Sequence, residues 1–299
     1  MEYISKIDGH ITHTSQQIVE NAKFNMLIIH GMAEHRHRYD AFMDMLNNHH
    51  INTYSIDLRG HGESPVDGHL GYFGAKDGYK RNVDDIDGII QKIKMESDLP
   101  FILFGHSMGS LFARAYLKSY PNNIDAMILS GSPYLPTGFN ALKQVLKIPA
   151  KISPTKPAKM IAKIMNDGFT KEIENHKTNV DWLSFDEDNI NRYIHDPLCN
   201  FPFTYQGYVD LFALLDDVYN DAWPDVKSDL PVFFLVGKHD PVVDFKHDGF
   251  YKAINSLKQN GYRNIKSIVY DNSRHELLND VEKEKVTEDI IQIINDLEL

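Results

Sequence analysis

A chain of 299 residues, 42% hydrophobic and 24% charged, is long enough for one large α/β domain that buries about three quarters of the surface its unfolded form exposes. Its net charge of −11 argues against a nucleic-acid partner, since phosphate backbones call for a positive field. No apolar run of membrane-spanning length occurs, the first residues lack the parts of a signal peptide, and the only cysteine, Cys199, cannot form an internal disulfide, so the expectation is a soluble cytoplasmic protein.

In chain order, Tyr3–Ile7 and Ile11–Thr14, broken by Asp8 and Gly9, predict an opening hairpin of edge strands. Residues 25–30 predict a buried strand, 39–46 a helix and 51–57 the next strand. A second helix starts at about Gly78, where Tyr79, Val83, Ile86, Ile90 and Ile93 recur every three or four residues. Residues 100–104 predict a strand, 111–117 a helix and 124–131 another strand. This alternation predicts an α/β architecture, a mostly parallel sheet with helices on both faces.

The rhythm stops at Ser132-Pro133 and resumes near Leu230. Residues 134–227 are therefore expected to form a helical cap inserted into a core made of 1–133 and 228–299, punctuated by prolines 133, 136, 149, 154, 157, 197, 202 and 224. Within the insertion, lysines 143, 147, 151, 156, 159 and 163 alternate with apolar residues and, between Leu135 and Asn166, with no acidic residue. Such a pattern fits amphipathic helices making transient contact with an anionic lipid surface, and it equally fits packed helices with solvated lysine faces. Beyond it, 230–237 predicts a buried strand and 265–271 a second one, with a break at 272–274 that places His275 at the start of a helix.

Chemistry enters at Gly105–Gly109, GHSMG, between a predicted strand and a predicted helix. A serine in so sharp a turn is pushed out of the sheet, and its glycine neighbours avoid clashes. Ser107 is the expected nucleophile; a glycine-rich strand exit is the plainer reading. Downstream follow Asp240, just past a strand, and His275, just past the next, giving the order Ser, Asp, His. The alternative is that Asp240 forms a turn and His275 opens a helix. The strand over 25–30 ends in His30-Gly31, and an HG turn there lets a backbone N–H face the site, so the amides of Met32 and Met108 are the expected oxyanion donors. HG is otherwise only a turn.

HGMAEHRHRYD, IDLRGHGES, GHSMG, GKHDPVV and SRHELLND, in that order from about Phe24 to the C-terminus, resemble the monoacylglycerol lipase and lysophospholipase branch of the α/β-hydrolases, the serine aminopeptidase S33-like hydrolases. The resemblance implies an α/β-hydrolase fold, a triad of Ser107, Asp240 and His275, oxyanion donors Met32 and Met108, and polar residues Glu34 and Arg38 near the glycerol end of a lipid ester substrate. The pattern departs at Ser110, where many members have a second glycine, and at Leu278, where some carry a glycerol-binding histidine. No cofactor is implied.

Other residues have plainer readings. Asp57 and Arg59 are expected to hold loop structure. His35 and His37 lack a third ligand at zinc-site spacing, so no metal is expected. Trp182 and Trp223 are expected to pack, unless they line an acyl channel. The favoured function is hydrolysis of single-chain lipid esters. A general carboxylesterase or an S33-like peptidase is the alternative, the latter if acids near Asp181, Asp186, Glu187 and Asp188 recognise an amine. A non-catalytic binding protein on the same fold is the third.

Overall fold

Strand β3 (Phe24–Ile29) turns Leu27 and Ile29 to one face of a sheet and Met26 and Ile28 to the other. Side chains alternate along a strand, so a run without polar residues needs apolar cover on both faces. The same split occurs in β5 (Phe101–His106), β6 (Ala126–Ser130) and β7 (Val232–Gly237), where for example Leu103 joins one cluster and Phe104 the other. With β1 (Glu2–Ile4), β2 (Ile11–Gln17), β4 (Ile51–Ile56) and β8 (Ile265–Tyr270) they form one sheet of eight strands, ordered β1-β2-β4-β3-β5-β6-β7-β8. The opening hairpin pairs antiparallel, and β2 meets β4 antiparallel; the remaining neighbours are parallel. The computed structural model describes residues 2–135, 138–220, 222–226 and 228–298, so Pro136 and the expected boundary at Lys227 lie outside the described residues.

One face is covered by α1 (Asp40–Asn47) and α9 (Lys283–Asn295), through Phe42, Met43, Val286 and Ile290. The other is covered by α2 (Gly78–Glu96), α3 (Met108–Ser119) and α8 (Gly249–Gln259). Between β6 and β7 run α4 (Phe139–Ile152), α5 (Lys159–Thr170), α6 (Glu187–His195) and α7 (Tyr205–Tyr219). Helix α7 is not peripheral: Tyr208, Leu211, Phe212 and Val218 are buried in the same cluster as α2 and α3. Pro149, expected as punctuation, instead lies inside α4.

The helix expected from His275 begins later. Residues 277–279 form a 3-10 turn and α9 starts at Lys283, because the Asn279 N–H goes to the Glu276 carbonyl and the Val281 N–H to Asp280 Oδ1, both at 2.8 Å, instead of to carbonyls four residues back. The Glu276 N–H goes to the Leu183 carbonyl at 2.8 Å, and the buried Asp280 carboxylate takes the N–H groups of Arg274 and Phe185, each at 2.7 Å. Asp57 and Arg59 do hold loop structure. Asp57 accepts from the Arg36 and Glu63 N–H groups, both at 2.9 Å, and Arg59 is paired with Asp85 and Asp8, each at 2.7 Å. Among the described residues no helix is long and apolar enough to cross a membrane.

Candidate active site

Ser107 stands between β5 and α3 with φ 51° and ψ −118°, a backbone state that costs a non-glycine residue about 1–3 kcal/mol. Its N–H is anchored to the Ser130 carbonyl of the neighbouring strand at 2.8 Å. The flanking glycines answer to close approach: a Cβ on Gly105 would lie 2.5 Å from the Gly109 carbonyl oxygen, and one on Gly109 would strike the carbonyls of Ile29 and His30. Ser110, which replaces the resembled family's second glycine, is buried and donates through Oγ to the Ser107 carbonyl at 2.5 Å.

Three residues from three strand ends meet here. His275 Nε2 lies 2.7 Å from Ser107 Oγ, and His275 Nδ1 lies 2.8 Å from Asp240 Oδ2. Asp240 Oδ1 takes the Val242 N–H at 2.8 Å. A carboxylate can only accept, so these partners assign the Nδ1–H tautomer, leaving Nε2 to accept from the serine hydroxyl. Burial works against the His275 cation, but the charge and hydrogen bond of Asp240 outweigh it and raise its pKa above 6.5. His106, with its ring 4.8 Å from that of His275, goes the other way: burial, then the His275 charge, lowers its pKa to about 4 and keeps it neutral.

The HG turn lies against Ser107, since a Cβ on Gly31 would come 3.2 Å from Ser107 Cβ. His30, read in the sequence as the first residue of the HG turn, fixes this turn through its side chain, with Nδ1 on the Gly31 carbonyl at 2.7 Å and Nε2 accepting the Leu58 N–H at 3.0 Å. The Gly31 N–H is taken by Glu34 at 2.5 Å, and Met32 lines the pocket that opens over Ser107. Met108 begins α3, where an amide has no helical partner.

Of the two residues expected near the alcohol end, Glu34 lines the pocket and Arg38 does not. Arg38 is instead enclosed, reaching Glu276 at 2.5 and 2.7 Å, Glu34 at 2.8 Å and Asn189 at 2.9 Å, with its guanidinium over the Tyr193 ring. Burial opposes the Glu34 carboxylate, but Arg38 and the Gly31 N–H hold its pKa at about 2. Glu276, Asn189 and Tyr193 had no local signal in the sequence, because their partner lies far along the chain.

The pocket encloses about 420 Å³. Ser107, His275 and Glu34 form its floor; Met165, Phe169, Phe201 and Tyr208 give it an apolar wall; Lys159 and Lys163 of α5 border it. Trp182 lines it and Trp223 does not, its indole N–H going to the Val218 carbonyl at 3.0 Å. His35, Asp196 and Cys199 bring ligand-type atoms within 4.8 Å of one another, a trio the sequence spacing hides, while His37 pairs with Asp40. His35 is already bonded to Asp196 at 2.9 Å, and burial pushes the Cys199 thiol pKa up, the reverse of a metal-binding thiolate. Asp181 accepts from Lys177, Asp186 caps α6, and Glu187 pairs with Lys177; none lines the pocket.

The family profile described as serine aminopeptidase, S33, matches residues 20–282. The chain belongs to that family. Among curated relatives of this S33 chain, a monoglyceride lipase homolog of Monkeypox virus is 24% identical over 269 residues, spanning 87% of this chain and 84% of the viral protein. A probable lysophospholipase L2 of Haemophilus influenzae is 25% identical over 290 residues, spanning 90% and 82%. Among solved structures, a thermostable carboxyl esterase from Bacillus coagulans, in complex with glycerol, superposes with a TM-score of 0.88 at 26% identity, covering 99% of the S33 chain and 97% of the esterase.

Proposed function

We propose that this S33 chain is a serine carboxylic ester hydrolase that cleaves single-chain lipid esters, of the monoacylglycerol or lysophospholipid kind, through an acyl-enzyme on Ser107. The observation that carries the reading is the hydrogen-bonded sequence Ser107–His275–Asp240 at the floor of an apolar-walled pocket. His275 takes the proton as Ser107 Oγ attacks the ester carbonyl, and Asp240 steadies the imidazolium. The Met32 and Met108 amides hold the oxyanion, Gly31 being occupied by Glu34. As the tetrahedral adduct collapses, His275 returns the proton to the departing alcohol; water, activated the same way, then releases the fatty acid. Glu34 faces the alcohol half, and Arg38 keeps that carboxylate charged and in place.

A peptidase is the weaker reading. Recognition of an amine calls for an unpaired carboxylate in the pocket, and the acids lining it are engaged: Glu34 and Glu276 by Arg38, Asp167 by Lys163 at 2.6 Å. The test is hydrolysis of p-nitrophenyl esters from two to sixteen carbons. A maximum at medium or long chains is expected; a maximum at acetate would replace the lipid reading with a general carboxylesterase.

The rate should also report His275. Its protonated ring cannot act as base, so kcat/KM should fall as pH drops, with the midpoint above 6.5 because the folded pKa is raised. A rate that stays level from pH 5 to 8 would exclude His275 as the base.

Residues 134–227 act, on this reading, as a cap whose outer side meets an anionic membrane. Val145, Ile148 and Ile152 of α4 and Met160 and Ile164 of α5 are each more than half exposed, with Lys147, Lys151, Lys159 and Lys163 exposed among them. Apolar side chains would enter the interface while lysines meet headgroups, at about 1 kcal/mol per lysine, next to the pocket entrance. The protein should co-sediment with phosphatidylcholine vesicles containing phosphatidylglycerol, and changing these four lysines to glutamate should abolish it. Wild-type protein left in the supernatant with these vesicles would remove the membrane contact.

A further inference from the structure

The loop that carries His275 is gripped, residue by residue, by one short segment of the insertion. Asp181–Leu183 form a 3-10 turn. Arg274 donates through Nη1 to the carbonyls of Asp181 at 2.6 Å and Ser184 at 3.0 Å. The Glu276 N–H donates to the Leu183 carbonyl at 2.8 Å. Between these two ties the Trp182 ring lies 5.3 Å from the His275 imidazole, tilted by 48°. Ser184 Oγ and the Phe185 N–H are in turn bonded to Asp280 Oδ1, at 2.9 and 2.7 Å, so the gripping segment is itself pinned to the far side of the His275 loop.

Trp182 has a further neighbour in Phe169, 4.9 Å away, so its ring spans from α5 to the imidazole. Its indole N–H is hidden from solvent and has no partner among the described residues. An unpaired buried donor is a cost, so hydrogen bonding does not account for a tryptophan here, whereas a flat ring of this size does. Among the described residues the His275 side chain makes two hydrogen bonds, to Ser107 and Asp240, and both require the ring plane to stay where it is; the His106 ring packs on it as well.

We propose that Trp182 is a positioning residue for His275, its ring fixing the imidazole plane between Ser107 Oγ and Asp240 and closing that side to water. The inference rests on the reading of His275 as the base. It makes the Asp181–Ser184 part of the insertion a component of the catalytic apparatus.

The test uses p-nitrophenyl acetate, whose two-carbon acyl group has little apolar surface to pack on the pocket lining, beside the sixteen-carbon ester. Trp182→Ala should lower kcat on the acetate by about 10- to 100-fold, the scale of a misaligned reacting group. Trp182→Phe, which keeps a flat ring, should restore it to within about 3-fold. Trp182→Leu, of comparable bulk but not flat, should not, and melting curves identify a temperature at which all variants are folded. Wild-type acetate turnover in Trp182→Ala or Trp182→Leu, with loss confined to the long ester, would overturn the proposal and leave Trp182 a wall of the acyl site. Equal inactivity of wild type and Ser107→Ala on both esters would instead overturn the hydrolase reading, and this inference with it.

Discussion

Ser107→Ala is expected to lower kcat by about 10⁴-fold or more on every ester, and Ser107→Gly to do the same while leaving a more stable protein. Both variants remove the hydroxyl that His275 contacts at 2.7 Å, so the activity loss is common to them. They differ in the backbone. At φ 51° and ψ −118° a Cβ costs about 1–3 kcal/mol, and glycine is free of it. Against that gain stands the extra entropy glycine loses on folding, about 0.5–1 kcal/mol. Relief of strain wins, by about 1 kcal/mol, which for a chain of this size is a rise of about 2 °C in Tm over Ser107→Ala. Thermal melts of the pair measure it. A Ser107→Gly protein that melts below Ser107→Ala would mean the turn stores no strain, and residual turnover near the wild-type rate would remove Ser107 as nucleophile.

The largest loss of stability is expected from Arg38→Met. The change leaves Glu34 and Glu276, 2% and 4% exposed, buried as two carboxylates without their cation. Breaking such a cluster from one side costs about 3–5 kcal/mol, because the remaining charges have neither water nor a partner. Urea unfolding at pH 7 should show it. The pH dependence should change as well. In the wild type Glu34 is held at about 2, below its ordinary 4.5, so it contributes stability above pH 4.5 that fades as pH falls toward 2. Without Arg38 the carboxylate loses the strongest of the groups that favour its charge while burial still opposes it, so the stability that Glu34 contributes above pH 4.5 should shrink in the variant. Adding Glu276→Gln should recover part of the loss at pH 7. A deficit below about 1 kcal/mol that is constant with pH would mean the carboxylates reach water when Arg38 is gone.

The order of the proposed triad was readable because each member follows an apolar run. Ser107, Asp240 and His275 come just after β5, β7 and β8, and parallel strands deliver their carboxyl ends to one edge of the sheet. Glu34 and Arg38 were readable as a pair through their position in the resembled motif, but their division of labour was not: one lines the pocket, the other is enclosed behind it. Arg38 meets Glu276 across 238 residues of chain and Asn189 across 151, separations that no local pattern encodes.

The strand and helix alternation, the two-sided apolar cover of β3, β5, β6 and β7, and the positions of the residues proposed as nucleophile, acid and base were thus legible in the residues themselves. These follow from short-range rules: side-chain period, the sterics of a tight turn, and the tendency of apolar runs to be buried. Tertiary packing set where α9 starts, since the Asp280 carboxylate, held by the Arg274 and Phe185 N–H groups, takes the Val281 N–H that a helix from His275 would give to Leu277. It also decided that His35 faces Asp196 and Cys199, that α7 joins the core, and that Asp181–Ser184 grips the His275 loop. Each of these is a contest between distant groups for the same hydrogen bond or the same buried space, and only packing in three dimensions selects the winner.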